Sequence, residues 1–231
     1  MLIPSSLDFE WRGADISITL DTEYPFKNRL SYTVKTSERV EMPFKIRIPS
    51  FAKNLTVNGK KLRNNGYVEF SGFDSGVTKI DISFDTEARL APSPTRGLYN
   101  VSCGSLIFSA KIEAEYTRRE YISNSVERKY PYCDYLITPK SDWNFAFASR
   151  ELKVNRGDLD DIPFSSQRPP ITVEAQLCHI DWRNEFGYLN VCAKKPHSKQ
   201  ALDEPFAVEL YPYGCVKLRM TEMPIADFTK R

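Results

Sequence analysis

The sequence predicts an all-β protein built from two consecutive antiparallel β-sandwich modules of jelly-roll-like type. Many short segments alternate apolar and polar residues with the two-residue period of a half-buried strand. Turn-forming or proline-containing sequence closes these segments, and no segment has the apolar spacing of a long amphipathic helix. The closely spaced prolines Pro92 and Pro94 are unsuited to a central strand, so we place the boundary between modules 1–93 and 94–231.

The first module is predicted from regular alternation and one hairpin. In residues 79–84 the even-numbered side chains Ile80, Ile82 and Phe84 form the apolar face. The pair Asn58-Gly59 tolerates the two positive φ angles of a type I′ turn, so residues 55–62 are predicted to form a hairpin. Gly72 to Gly76 lie between strands and match no nucleotide-binding loop, which indicates a turn. The other predicted strands of this module are 16–20, 30–34, 44–48 and 67–70.

The second module is predicted from β-branched and aromatic content. Residues 153–170 contain Gly157 and three prolines and are predicted to be a loop. The acidic residues of that segment, Asp158, Asp160 and Asp161, are expected to be solvated and not to form a catalytic pair. The predicted strands are 98–101, 105–114, 134–138, 145–148, 172–175, 207–211 and 216–220.

The composition is that of an ordinary folded protein. The chain has 231 residues, 41% hydrophobic and 27% charged, which predicts a packed core. Its 32 basic and 30 acidic residues give a net charge of +2, so no large field of one sign favours nucleic acid or an anionic membrane as a partner. No apolar run reaches the roughly 18 residues of a membrane span, and the opening residues do not resemble a signal peptide. We expect a soluble chain of undetermined compartment.

The cysteines and histidines are predicted to be structural. Zinc motifs hold ligands in close pairs, whereas Cys178 and His179 are adjacent and should point to opposite faces of a strand, and Cys192 and His197 are not paired in this way. We therefore predict no metal site and no cofactor in this chain. The odd number of cysteines also argues against a disulfide framework and favours mostly buried thiols at Cys103, Cys133, Cys178, Cys192 and Cys215.

No catalytic residue stands out from the sequence. Neither histidine is preceded by a glycine-flanked nucleophile, and 30 acidic residues make a carboxylate pair impossible to single out by spacing. The tryptophans Trp11, Trp143 and Trp182 are expected to lie in the core more readily than on a sugar-binding surface. We therefore predict neither catalytic nor cofactor-binding residues.

Several segments, in order, resemble the C-terminal β-sandwich region of glycoside hydrolase family 127, the β-L-arabinofuranosidase family. In the first module these are Asp21 to Phe26, Ile46 to Ala52, Val57 to Gly59 and Gly66 to Val68. In the second they are Arg96 to Tyr99, Gly104 to Ile107, Pro131 to Tyr135, Ser141 to Asn144 and Tyr211 to Arg219. The opening Leu2 to Ser5 resembles the stretch that leaves the family's catalytic barrel.

The resemblance implies a non-catalytic part of a larger enzyme. In that family the cysteine nucleophile, the glutamate acid/base and the zinc site lie in an N-terminal (α/α) barrel, to which none of these segments corresponds. The chain alone is therefore expected to be inactive, and to support a barrel, in cis or in trans, that acts on L-arabinofuranoside-containing glycans. A carbohydrate-binding module, with a glycan as partner, and a free-standing protein-interaction domain are the alternatives. Residues 1–4, with Phe9 and Trp11, are the predicted contact surface.

Overall fold

The structure is a computed structural model that describes residues 2–95, 97–185 and 191–228. Within these ranges every regular element is a β-strand apart from one short 3₁₀ turn, which confirms the all-β class. The chain divides into two compact units, Met1–Glu87 (unit 1) and Ala88–Arg231 (unit 2). None of the helices in the described ranges is long or apolar enough to span a membrane.

Unit 1 is a β-sandwich of a six-stranded antiparallel sheet and a two-stranded one. The large sheet has the order β1-β2-β3-β8-β5-β6, and the small sheet pairs β4 with β7. The strands are β1 Ser5–Trp11, β2 Ala14–Thr22, β3 Arg29–Thr36, β4 Phe44–Arg47, β5 Lys53–Val57, β6 Lys60–Lys61, β7 Tyr67–Phe70 and β8 Gly76–Asp85.

Aromatic side chains join the two sheets of unit 1. Tyr32 on β3 packs edge-on against Phe44 on β4, with ring centroids 5.8 Å apart. Phe44 in turn lies 5.9 Å from Phe73, and Phe73 stacks on Phe70 of β7 at 6.1 Å. Such offset and edge-to-face pairs add to the burial of apolar area that holds a sandwich together.

The strands predicted for the first module are confirmed. Ile80, Ile82 and Phe84 on β8 are buried, as their even numbering predicts. In the hairpin, Val57 pairs with Lys60 across Asn58 and Gly59, whose φ angles of 47° and 76° fit a type I′ turn.

Unit 2 is built on a seven-stranded antiparallel sheet. Its order is β16-β17-β20-β11-β10-β9, with β21 also pairing β11, and three two-stranded sheets, β12-β15, β13-β14 and β18-β19, complete the unit. The strands are β9 Ala88–Pro92, β10 Tyr99–Cys103, β11 Leu106–Lys111, β12 Ala114–Arg119, β13 Tyr121–Ser123, β14 Val126–Arg128, β15 Asp134–Pro139, β16 Phe145–Arg156, β17 Ile171–His179, β18 Asn184–Glu185, β19 Val191–Cys192, β20 Phe206–Pro212 and β21 Arg219–Met220.

The β16–β17 pair is buried on both faces. Phe147 pairs with Leu177, and both are fully buried. The neighbouring pair Ala146 and Cys178 must point to the opposite face, where it packs in a second cluster with Trp182. This second cluster lies beneath the cavity described below.

Three strand limits in the second module were predicted wrongly. Residues 153–156 belong to β16, because a bulge between Phe147 and Leu152 resets the register and lets the strand continue. The predicted strand 216–220 shrinks to Arg219–Met220, because a 3₁₀ turn at Tyr213–Cys215 precedes it. The predicted strand 105–114 breaks between Lys111 and Ala114, where the chain leaves the large sheet for β12.

The units divide six residues before the boundary placed at the prolines. Ala88–Pro92 forms β9, which pairs β10 along five residues and so lies in unit 2. Pro92 is the last residue of an edge strand, where the missing N–H donor is tolerated.

Candidate functional site

A protruding pair of strands carries most of the exposed apolar side chains of unit 2. Residues 114–139, called the arm below, run out along β12, turn through the β13-β14 hairpin and return along β15. Tyr132 is 82% exposed and Ile122 70%. Monomeric proteins rarely expose more than a few hundred Å² of contiguous apolar surface, so the arm stands out as a contact surface. Its exposed apolar residues are Tyr116, Tyr121, Ile122, Val126, Tyr130, Tyr132, Tyr135 and Leu136.

Charges on the arm are balanced. It has four basic and four acidic residues and therefore no net charge. Arg118 pairs with Glu120 at 3.3 Å and Lys129 with Glu127 at 2.9 Å, while Glu115 pairs with Lys140 at the base, at 2.6 Å. The arm therefore offers no field of one sign to attract a highly charged partner.

A cavity of about 370 Å³ opens at the base of the arm. The arm supplies Leu136, Ile137, Thr138 and Pro139 at the end of β15, of which Leu136 and Thr138 lie on one face of the strand. The remaining described residues that line the cavity are mostly apolar, with Asn184 and Arg219 among the polar ones. The set contains no aspartate or glutamate, so the cavity has no pair of carboxyl groups for glycosidic hydrolysis.

Trp143 lines that cavity, and its contact with the buried Trp182 fixes the position of its ring. Its ring packs edge-on against Trp182 at 6.4 Å. Trp182 is buried, and its indole N–H donates to the Ala193 carbonyl at 2.7 Å. The expectation of a core position is met by Trp182, whereas Trp143 remains half-buried at the cavity wall.

His179, Asp203 and Asp142 form a cluster of titratable side chains in unit 2. The His179 Nδ1 lies 2.5 Å from Asp203, whose other carboxylate oxygen accepts the His179 backbone N–H at 2.8 Å. The His179 Nε2 lies 3.5 Å from Asp142, and the ring packs against Phe145 and Phe206 at about 5 Å. No serine or cysteine contacts His179 in these interactions, so the cluster ties loops together and is not a nucleophile–base pair.

Asp203 is expected to contribute stability that disappears in acid. The hydrogen bond from His179 holds the pKa of Asp203 below its usual value. A carboxyl group whose pKa is lowered by folding stabilises the fold above its unfolded pKa of about 3.9, and this contribution is lost as pH falls through the lower folded pKa. Because Asp203 is partly exposed, screening limits the effect, and we expect Asp203→Asn to cost about 0.5–1 kcal/mol at pH 7.

Urea unfolding of the Asp203 variant between pH 7 and pH 2.5 measures this contribution. The difference between variant and parent should shrink below pH 4. Asp142→Asn is the matched control, because Asp142 is 77% exposed and its contact is longer. Equal losses for the two variants at pH 7 would contradict the assignment.

The histidine and cysteine side chains considered as metal ligands do not cluster, because strand geometry directs Cys178 and His179 to opposite faces. Cys178 is fully buried while His179 points to the other face, and Cys192 and His197 are exposed. Among the described ranges, no group of three His, Cys, Asp or Glu side chains is placed to hold a metal. The absence of bound zinc stays a prediction, to be tested by metal analysis.

Buried thiols dominate, and burial suppresses their ionisation. Cys103, Cys178 and Cys215 are buried, and no disulfide joins any of the five cysteines, all of which lie in the described ranges. Burial raises the pKa of Cys178 and of Cys215 to about 11, so neither is a ready nucleophile or metal ligand.

A thiol reagent is therefore expected to modify Cys192 first in the native chain. Cys192 is exposed, whereas the buried thiols react only after unfolding. Titration with a chromogenic disulfide should give a fast phase from Cys192, a slower native-state phase from the half-buried Cys133 and, in denaturant, five thiols. Cys192→Ser should remove the fast phase; persistence of that phase, or fewer than five thiols in denaturant, would contradict the assignment.

The acidic residues of segment 158–161 lie in a solvated loop, as predicted. Trp11 was expected in the core and is half-buried against it. Asp158 and Asp161 are exposed, and Asp160 lies 3.4 Å from Arg168, so these residues form a solvated loop. Trp11 is half-buried against the core of unit 1, and its indole N–H donates to Glu41 O at 3.4 Å.

The predicted contact surface at the amino terminus is wrong in its main part. Leu2, Phe9 and Trp11 pack against the core of unit 1, and only Ile3 and Pro4 among the described residues of that surface are exposed. The reason is the edge strand β1, whose full pairing with β2 includes Phe9 with Ile16. Met1 of that surface, like Arg96 of the family resemblance, lies outside the described residues.

Unit 1 is where a sequence comparison identifies a family. Residues 1–86 match the family described as "Beta-L-arabinofuranosidase, GH127 middle domain". This match coincides with unit 1. A search of curated proteins finds no match to the sequence.

One solved GH127 structure extends the likeness in fold over both units. The GH127 β-L-arabinofuranosidase Ara127N-Se from Geobacillus stearothermophilus T6 is 15% identical, with a TM-score of 0.55, over 97% of this chain and 32% of that chain. The GH127 β-arabinofuranosidase BT3674 is 14% identical over 97% of this chain and 34% of that chain, with a TM-score of 0.47. A structure described as a glycoside hydrolase is 15% identical over 96% and 34%, with a TM-score of 0.49.

The chain therefore spans about a third of the length of these solved chains. Two findings confirm the predicted resemblance to GH127: the family match of residues 1–86 and the likeness in fold.

Sequence reasoning predicted β15 of the arm, as the strand 134–138, but missed β12, the β13-β14 hairpin and the His179 cluster. The arm lacks alternation because β12 is exposed at almost every position, so neither of its faces has an apolar period. The clustered tyrosines of residues 116–135 were the available signal. His179, Asp142 and Asp203 are too far apart in sequence for any spacing rule to join them.

Proposed function

We propose that this chain is the non-catalytic β-sandwich part of a glycoside hydrolase similar to β-L-arabinofuranosidases. In this proposal it supports an N-terminal (α/α) barrel, in cis or in trans, that carries the catalytic residues and acts on L-arabinofuranoside-containing glycans. The match of residues 1–86 to a domain described as a middle domain carries the proposal, because a middle domain implies further parts of the same enzyme.

The cavity chemistry supports an accessory role. Glycoside hydrolysis typically needs two carboxyl groups roughly 5 to 10 Å apart across a scissile bond. The described lining of the cavity at the base of the arm has apolar, hydroxyl, amide, guanidinium and thiol groups, the thiol being that of Cys192, and no carboxyl group. It therefore offers neither a carboxyl pair nor a glutamate to act as acid/base beside the Cys192 thiol.

The arm is the surface we assign to the barrel contact. An isolated two-stranded ribbon is marginally stable in water and gains stability when a partner covers it. Tyrosine and arginine, which are enriched at protein–protein interfaces, are frequent on the arm, and its charges are already balanced. Ara127N-Se, a solved chain of similar fold, is about three times as long as the part of it that this chain covers, which supports a further domain as the partner of the arm.

Activity and association assays test the proposal together. The purified chain should show no turnover of aryl or natural β-L-arabinofuranosides. The (α/α) barrel encoded in the same genome, expressed separately, should co-elute with the chain in size-exclusion chromatography and gain thermal stability. Turnover by the chain alone that disappears on mutating one of its own residues, or failure of the chain to bind that barrel, would refute the proposal.

A further inference from the structure

We propose that the cavity at the base of the arm binds a neutral sugar unit of an oligosaccharide, stacked on Trp143. This goes beyond the supporting role and requires that a docked barrel leave the Leu136 and Thr138 face of the arm open. The cavity lies within unit 2, to which all its described lining residues belong.

The size and enclosure of the cavity fit a small ligand. Its volume of about 370 Å³ lies at the lower end of the range for small-molecule pockets, roughly 300–1,000 Å³. Such pockets are mostly apolar with a few placed polar groups. The apolar surface here comes from Ile112, Leu136 and Met220, together with the half-buried Trp143.

The Trp143 ring supplies a preorganised stacking surface. Its edge-on contact with Trp182 and the hydrogen bond from Trp182 to Ala193 hold the indole before any ligand arrives. A ring that is already ordered loses little side-chain entropy on binding, which favours affinity. The C–H face of a sugar ring is the apolar surface that such an indole would cover, while the hydroxyl rim faces the polar groups.

Polar groups of the right kind surround that ring. Thr138 offers a hydroxyl group and Asn184 an amide, so each both donates and accepts hydrogen bonds. Arg219 Nη1 donates to the carbonyls of Val216 and Lys217, at 2.5 and 2.9 Å, which leaves three of its five N–H groups outside these bonds. Hydroxyl groups of a sugar are partners for all three side chains.

The ligand class follows from the charges of the lining. The described lining contains no acidic residue, so nothing would neutralise an amine or a metal cation. The Arg219 guanidinium is stacked on Tyr213 at 3.5 Å and held by two carbonyls, so its charge is partly satisfied within the protein. A neutral polyhydroxylated ring therefore fits the cavity better than a cationic ligand does.

The arm extends the cavity in one direction. Thr138, Leu136 and Asp134 alternate on one face of β15, and the cross-strand partners of Leu136 and Asp134 are Thr117 and Arg119. An oligosaccharide whose terminal unit fills the cavity would continue along this polar face. Affinity should therefore rise with chain length over the first few sugar units.

Titration of the full chain with defined sugars tests the inference. Tryptophan fluorescence and calorimetry would be recorded with L-arabinofuranosyl, xylosyl and glucosyl oligosaccharides of two to five units, and with glucuronate. We expect at least one neutral series to bind, and Trp143→Ala to weaken its binding at least tenfold.

Two further variants keep the test decisive if Trp143→Ala unfolds. Leu136→Asp changes an exposed cavity residue and should also weaken binding at least tenfold. Tyr132→Ala, on the arm but outside the cavity, should leave binding unchanged. No saturable binding of any neutral series at 10 mM, on the order of the weakest useful affinity, would overturn the inference. Binding of glucuronate alone, or unchanged binding by Leu136→Asp, would do so too. Because no barrel is present, none of these outcomes bears on the supporting role.

Discussion

Replacing Trp11 by alanine is expected to lower the free energy of unfolding of residues 1–87 by about 2 kcal/mol. Full truncation of a buried aromatic side chain costs roughly 3–5 kcal/mol, and Trp11 is half-buried against the core of unit 1. The same change removes the indole hydrogen bond to Glu41 and the contact with Arg12, whose guanidinium lies 5.7 Å from the Trp11 ring. Hydrogen-exchange mass spectrometry measures this loss within β2 and β3 without interference from unit 2.

Ile3→Ala is the matched control for Trp11→Ala. Ile3 comes from the same amino-terminal segment but is 65% exposed, so its loss should change stability by no more than about 0.5 kcal/mol. Equal effects of the two substitutions would show that β1 is not anchored by Trp11. A negligible effect of Trp11→Ala would restore the amino-terminal segment as a docking surface.

Substituting Ile122, Val126 and Tyr132 by serine should reduce hydrophobic dye binding and self-association of the chain several-fold. These side chains are 52–82% exposed on the arm, so they support no core and their loss should leave the melting temperature nearly unchanged. Dye fluorescence and sedimentation velocity at several protein concentrations measure the effect.

Leu7→Ser and Val77→Thr provide the comparison for the arm variant. Both residues are at least half exposed, but they lie in unit 1 and outside the arm. Dye binding should persist in this control variant. An arm variant that binds dye as strongly as the parent, or a parent that is monomeric and binds none, would remove the arm as the exposed contact surface.

The sequence predicts a strand well when one face of that strand is buried and the other is exposed. In β8, alternation is complete because Ile80, Ile82 and Phe84 face the core while the residues between them face outward. Segment 7–11 carries the same signal, since Leu7, Phe9 and Trp11 alternate with acidic residues. Phe9 and Trp11 were nevertheless predicted to belong to a docking surface, although they pack against the core of unit 1 on a strand paired with β2.

The sequence by itself determined the all-β class, the strands of unit 1, the hairpin at Asn58-Gly59 and the separation of Cys178 from His179. These features depend on local periods and turn chemistry, which neighbouring residues encode. Only the tertiary structure decided how far β16 extends, where the arm leaves the sheet, and that Trp143, Thr138 and Arg219 share one cavity. A bulge resets strand register without a local mark in composition, and a cavity forms from strands distant in sequence, so neither can be predicted from local patterns.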